Sequence, residues 1–177
     1  MGKKRAVVKP VTLEIDGQML DLRLDIGAMR DFEDATGRGV LQFIKPIFDA
    51  VRSAKIADGR DSLDGPAERV EYTILGELID RNAITAVDIQ ALLWACTGGY
   101  DSAMTPEPLP EDVDRYGVVS AAANRSRMEI GIRNASRLVN ISNIKDVAYK
   151  LLEVINAALP KGDKKSGAGG NETSSTG

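Results

Sequence analysis

Residues Val11 to Gly37 read VTLEIDGQMLDLRLDIGAMRDFEDATG, and the way this stretch divides decides the fold. Apolar and polar residues alternate with period two on both sides of Asp16-Gly17, a dipeptide suited to a type I′ turn because both positions tolerate positive φ. If Ile15 faces Gln18 across that turn, Leu13 faces Leu20 and Val11 faces Leu22 on one side, while Thr12 faces Asp21 on the other. The spacing changes at Asp25, which stands where an N-cap belongs. Ile26, Met29, Phe32 and Ala35 then recur every three residues along one helical face, and Gly37 supplies a C-cap. A two-stranded hairpin is marginal alone in water, so its apolar face must be covered by the helices that follow.

Those helices are legible downstream. VLQFIKPIFDAVRSA puts Leu41, Ile44, Phe48 and Val51 near one face with Phe43 and Ile47 beside them, and Pro46 kinks the helix or starts its second half. KIADGRDSLDG is turn-rich and charged and reads as an exposed loop. Pro66 opens a third helix through Val70, Ile74, Leu75 and Leu78, ending near Asn82. ITAVDIQALLWACTGG gives a fourth, with Thr85 and Asp88 as an acidic capping box, Ile89, Leu92, Leu93 and Cys96 as its apolar set, and Gly98-Gly99 as its stop. TPEPLPED is an extended, partly rigid link. VDRYGVVSAAANRSRMEIGIRNASRLVNI reads as helix with an interruption near Gly131. Asn143 caps a last helix through Ile144, Val147, Leu151, Leu152, Val154 and Ile155, and Pro160 ends it. The expected fold is α+β, mainly α: an N-terminal β-hairpin packed on a bundle of about five to six helices, as the spacing of apolar residues dictates. Residues 1–10 form a basic arm, 11–160 one domain with a proline-rich link at 105–112, and 161–177 a disordered tail with no apolar residue larger than alanine.

Composition narrows the function. The 177 residues contain no histidine, which removes the commonest general base, the commonest zinc ligand and every Ser-His-Asp or Cys-His arrangement. Cys96, the one cysteine, lies in the apolar run LLWAC and reads as a small core hydrophobe. A net charge of −3 argues against a protein that holds nucleic acid through its overall charge. No phosphate-cradling G-x-x-x-x-G-K-[ST] loop is present, and DGRDSLDG lacks the spacing and terminal Glu of an EF-hand. Asp31, Glu33 and Asp34 read as a solvated helix face, with only Asp31 and Asp34 near one another. Arg125, Arg127, Arg133 and Arg137 form the most basic part of the chain but spread around a helix, with Glu129 placed to pair with Arg133. MGKKRAVVKPV carries no apolar stretch of signal-peptide length and no myristoylation pattern, so a cytoplasmic protein is expected. The four N-x-[ST] triplets read as chance matches on that expectation.

The segments LRLDIGAMRDFEDATGRGV and ITAVDIQALLWACTGG carry a resemblance. Gly27, Ala28, Met29, Phe32, Glu33 and Gly37, then Asp88, Ile89, Leu92, Leu93, Trp94 and Ala95, resemble paired motifs of the tail assembly chaperones of long-tailed bacteriophages and gene transfer agents. The resemblance spans residues 11 to 99 and does not reach 100–160. It implies a small, mainly helical, non-enzymatic protein without cofactor or metal, which binds the tape measure protein and other tail proteins. It also implies action in the host cytoplasm, absence from the finished particle, self-association along the client, and a second form extended by ribosomal frameshifting near the tail that begins at Lys161. A protein that holds an amphipathic client needs an exposed apolar groove, and Phe43, Ile47 and Phe48 with Leu93 and Trp94 are the expected partner-binding residues. On the residues alone Trp94 is either core or contact, tryptophan being common in both places. A structural head or tail completion protein and a small helical nucleic-acid-binding regulator are the alternatives, and membrane association is not expected.

Overall fold

The computed structural model describes residues 10–57 and 67–158. The hairpin comprises β1 (Val11–Ile15) and β2 (Gln18–Leu22), antiparallel, with Val11 opposite Leu22, Leu13 opposite Leu20 and Ile15 opposite Gln18, the expected register. Asp16 and Gly17 both take positive φ, 51° and 77°, as a type I′ turn requires. Leu13, Ile15, Leu20 and Leu22 are buried on one face, while Glu14, Met19 and Asp21 face solvent on the other. The chain stays extended to the buried Leu24, and the Arg23 N–H donates to the Cys96 carbonyl at 2.8 Å, tying the hairpin to a helix end far along the sequence.

Six helices follow among the described residues: α1 (Ile26–Thr36), α2 (Val40–Ala57), α3 (Ala67–Asp80), α4 (Ala86–Cys96), α5 (Ala121–Leu138) and α6 (Ile144–Ala158). Asp25 caps α1 by accepting the Ala28 N–H at 2.9 Å, and Gly37 closes it in the left-handed region. The buried face of α1 is centred on Ala28 and Phe32; Ile26, expected on that face, is 80% exposed because it sits in the first turn, before the helix reaches its neighbours. α2 runs through Pro46 and on to Ala57, so Lys55–Ala57 belong to the helix and not to the loop expected there. Its buried stripe is Val40, Phe43, Ile44 and Ile47; the Phe43 ring meets that of Phe32 edge to face at 5.5 Å. α3 ends in a Schellman motif about Asn82 (φ 55°), with the Ala83 N–H reaching the Leu78 carbonyl and the Asn82 N–H the Ile79 carbonyl.

α4 is the axis of the fold and packs on α1, α5 and α6. Thr85 and Asp88 form the expected capping box, and Arg38 reaches Asp88 at 2.5 Å, pinning the α1–α2 connection to the start of α4. From Ile89 onward every residue except Gln90 is buried, as befits a helix without a polar face. Beyond it, a short 3₁₀ turn at Gly99–Asp101 precedes the proline-rich link, and a second at Pro110–Asp112 forms the end of that link.

Three expectations fail in the second half. The segment from Val113 to Val119 is not helical: Asp114 accepts the N–H groups of Tyr116 and Val118, Gly117 takes a φ of 79°, and Val113 bridges Val119. α5 therefore starts only after Ser120, whose hydroxyl caps it, and it continues unbroken through Gly131. Asn143 does not cap α6 alone. Asn140 accepts the N–H groups of Ser142 and Asn143, and the Asn143 side chain accepts the Asn140 N–H in return, so the turn at 140–143 is a reciprocal cap led by Asn140. The rest of α6 matches expectation, burying Val147, Leu151, Leu152, Val154 and Ile155 with Ala148. It packs on β1, α3 and α4, closing the core over the hairpin. No described helix is long and apolar enough to cross a membrane. The side chains of Val51 and Val70, together with Pro66, Pro160, the arm before Pro10, the rest of the charged loop and the tail, lie outside the described residues.

Candidate functional site

Of the five residues expected to contact a partner, four are interior. Leu93 and Trp94 are fully buried because α4 occupies the centre of the bundle, and Phe43 and Ile47 lie on the inner stripe of α2. Trp94 is held by specific contacts: its indole N–H donates to Thr105 Oγ1 at 2.8 Å, Thr105 in turn donates to the Gly99 carbonyl at 2.7 Å, and the Tyr100 ring meets the indole edge on at 5.3 Å. Gly131 of α5 makes room for this arrangement, since a Cβ there would collide with Trp94 Nε1 and Thr105 Oγ1. The glycine that suggested a helix break is a packing residue.

Phe48 is the expected contact that reaches solvent, at 40% exposure, and Leu41, seven residues before it on α2, is 66% exposed. Two turns of a helix separate them, so they share one outward face. Lys45 lies between them, paired with Asp49 at 2.6 Å, and Arg52 continues the face toward the end of the helix. Two large apolar side chains framed by charge is the pattern of a small docking surface.

A second concavity, of about 530 Å³, opens where the start of α1 meets the end of α4. Asp21, Asp25, Asp31 and Asp101 line it with Arg23. Burial raises the Asp31 pKa above the usual carboxylate range; the Tyr100 N–H opposes this, and the negative charges of Asp34, Asp101 and Asp25 add to it. Asp25 is engaged as the α1 cap. Cys96 stands in the wall with its thiol pushed up to about 12 by burial, which makes it a poor nucleophile. Among the described residues no three carboxylate or thiol groups converge to hold a metal ion. The cleft brings together acids without a nucleophile and base in register.

The arginine region divides. Arg127 is structural, donating to the carbonyls of Pro106 and Tyr100 and to Asn124 Oδ1, with its guanidinium 5.7 Å from the Tyr100 ring centroid. Arg125, Arg133 and Arg137 are exposed on α5 beside the partly exposed Ile130, and the expected Glu129–Arg133 pair does not form. Three cations with an intervening Glu make a thin phosphate-tracking surface.

The residues carrying the family resemblance serve the fold. Phe32, Ile89, Leu92, Leu93, Trp94 and Ala95 are core, Glu33 and Gly37 terminate α1, and Asp88 caps α4. The sequence placed Leu41 and Phe48 on one face of the helix but left Leu41 out of the partner contacts, although its i, i+7 spacing from Phe48 was the signal. Comparison of the chain with protein-family models, with curated proteins and with solved structures finds no match.

Proposed function

We propose that this chain is a non-catalytic assembly factor, a tail assembly chaperone of the kind found in long-tailed phages and gene transfer agents, which holds the tape measure protein soluble in the host cytoplasm and leaves before the particle is complete. The observation that carries a protein-binding role is the outward pair Leu41 and Phe48 on α2. The family within that class rests on the resemblance, whose two segments pack together as α1 and α4. Several copies spaced along one extended client gain avidity, so a small surface on each suffices.

The test is co-expression of the tagged full chain with a tape measure protein from the same source, comparing wild type with Leu41→Asp and Phe48→Ser. Leu41→Asp lies on the surface and should cost less than about 1 kcal/mol of stability, whereas Phe48, 40% exposed, loses a partly buried ring and Phe48→Ser should cost about 1–2 kcal/mol, so the melting temperature of each variant is recorded beside client recovery. Recovery of soluble client is expected to fall by roughly tenfold or more, as it does when a central contact is lost. Unchanged recovery removes α2 as the docking surface. Mass spectrometry of purified particles supplies the second arm: presence of the chain there would make it a structural component instead of a chaperone.

A further inference from the structure

The acidic cleft lies at the open end of the hairpin. Val11, the first residue of β1, stands opposite Leu22, and the two neighbours of Leu22, Asp21 and Arg23, line the cleft beside Asp25, Asp31 and Asp101. Arg23 is the one cation of that lining, and among the described residues none of the four carboxylates forms an ion pair. The strand bordering the cleft also has an unfilled edge. Arg23 donates its N–H to the Cys96 carbonyl at 2.8 Å, away from β1. Successive residues of an extended strand present their backbone groups to opposite edges, so Leu24 turns its own N–H and carbonyl to the side along which β1 runs. Among the described residues neither group finds a hydrogen-bond partner, although the Leu24 side chain is buried. Backbone groups at a buried position are ordinarily paired.

The segment that precedes Pro10 complements both features. Met1 to Lys9 carries Lys3, Lys4, Arg5 and Lys9 with no acidic residue, and Val7-Val8 favours an extended backbone. An extended chain spans at most about 3.3–3.6 Å per residue, so Lys3 can stand roughly 25 Å from Pro10. That is ample to cross a cavity of about 530 Å³ whose border starts beside Val11. We propose that this N-terminal arm docks on its own chain, continuing the hairpin along the Leu24 edge and laying its cations across the cleft formed by Asp21, Asp25, Asp31 and Asp101. The register that sets Val11 against Leu22 brings Lys9 opposite Leu24, where strand addition supplies the missing backbone partners. Burial, and then Asp34, Asp101 and Asp25, disfavour the charge on Asp31, and cations brought to the cleft relieve that repulsion. The arm so placed straps the start of α1 to the end of α4, and it does so whatever the client of this protein is.

The experiment uses the full chain and two readouts. In the first, an equal mixture of ordinary and nitrogen-15-labelled protein is treated with a carbodiimide, which joins a lysine amine to a carboxylate in contact with it, and the linked peptides are mapped by mass spectrometry. Links from Lys3, Lys4 or Lys9 to Asp21, Asp25, Asp31 or Asp101 are expected within chains of one isotope, and they should fall severalfold in about 1 M NaCl, where the screening length is only about 3 Å. The second readout is amide exchange at Leu24, compared between wild type and Lys3→Gln/Lys4→Gln/Arg5→Gln. Loss of three exposed charge contacts should speed Leu24 exchange by about three- to tenfold. Leu24 should exchange before Leu92 of the α4 core in both proteins, which separates undocking of the arm from global unfolding. Leu24 exchange indifferent to the variant overturns the proposal, as do arm links confined to acids outside the cleft. Links that join the two isotopes would hand the cleft to the arm of a second copy and overturn docking within one chain.

Discussion

Trp94 shows how one side chain sets the tolerance of its neighbours. With its N–H committed to Thr105 and its ring against Tyr100, the indole has no room to retreat from α5. Gly131→Ala brings two opposing effects. Helix propensity favours alanine by about 1 kcal/mol, whereas a methyl driven into a fixed ring costs about 1–3 kcal/mol. A Cβ at 131 would approach Trp94 Nε1 and Thr105 Oγ1 more closely than any Cβ sustains, so overpacking wins. A lower urea midpoint is expected, with a shift in the emission of the single tryptophan; a stabilised variant would show that α5 does not sit so close. Asp88 and Asp31 make a second contrast. Burial alone would raise the Asp88 pKa, but Thr85 and Arg38 bind the carboxylate and hold it below the usual range. Its stability is complete above the unfolded value of about 4 and is lost as pH falls through the lower folded value. Asp31 is shifted upward, so the folded state holds its proton more tightly and stability declines as pH rises through the folded value. At pH 7, Asp31→Asn should therefore raise the melting temperature and Asp88→Asn lower it, with the loss between pH 5 and 3 shallower in Asp88→Asn. Melting curves from pH 3 to 7 check this; shifts of the same sign would refute the assignment.

Among the elements, the Asn140–Asn143 cap offers the sharpest test, because the two asparagines serve different donors. Asn140→Ala leaves the N–H groups of Ser142 and Asn143 unsatisfied at the start of α6 and should cost about 1 kcal/mol in chemical denaturation, with Asn140→Ser nearly neutral. An equal loss for serine would mean that Asn140 acts by something other than capping. The same comparison shows what the sequence could convey. The hairpin was legible because alternation and turn chemistry are separate local signals that agree on one register. The start of α5 was not, because Val113, Tyr116 and Val119 have spacings a helix would accept. The decisive cues were the Asp114 to Gly117 turn and the hydroxyl of Ser120. α2 carries apolar residues over too wide an arc for one face, so the choice of Phe43 and Ile47 over Leu41 and Phe48 for the interior was made by tertiary neighbours such as Phe32. The burial of Trp94 was available in principle: AVDIQALLWAC has Asp88 and Gln90 as its only polar members, and a helix without a polar face belongs at the centre.

The fold as a whole is closed by its last helix against its first strand. α6 packs on β1, α3 and α4, and without it the inner face of the hairpin and one side of α4 would meet water. Its side chains Val147, Leu151, Leu152, Val154 and Ile155 are each almost completely buried. Burial of such a side chain contributes about 1.5–3 kcal/mol by area, an upper estimate because unfolded chains are partly compact. Five of them together match the roughly 5–15 kcal/mol that separates a folded domain from its unfolded ensemble. The described core is therefore not a stable bundle with an added helix but one cooperative unit that forms only when β1 and α6 meet. A chain ending at Asn140 should lose its cooperative thermal transition, retain partial helical circular dichroism, and expose Cys96 to immediate thiol labelling, whereas the full chain labels only on unfolding. Adding the missing segment in trans, as a synthetic peptide covering α6, should restore both the transition and the protection of Cys96. A truncated chain that still melts cooperatively with Cys96 protected would instead place the stabilising core in α1, α4 and α5 alone, with the hairpin and α6 as a separable layer.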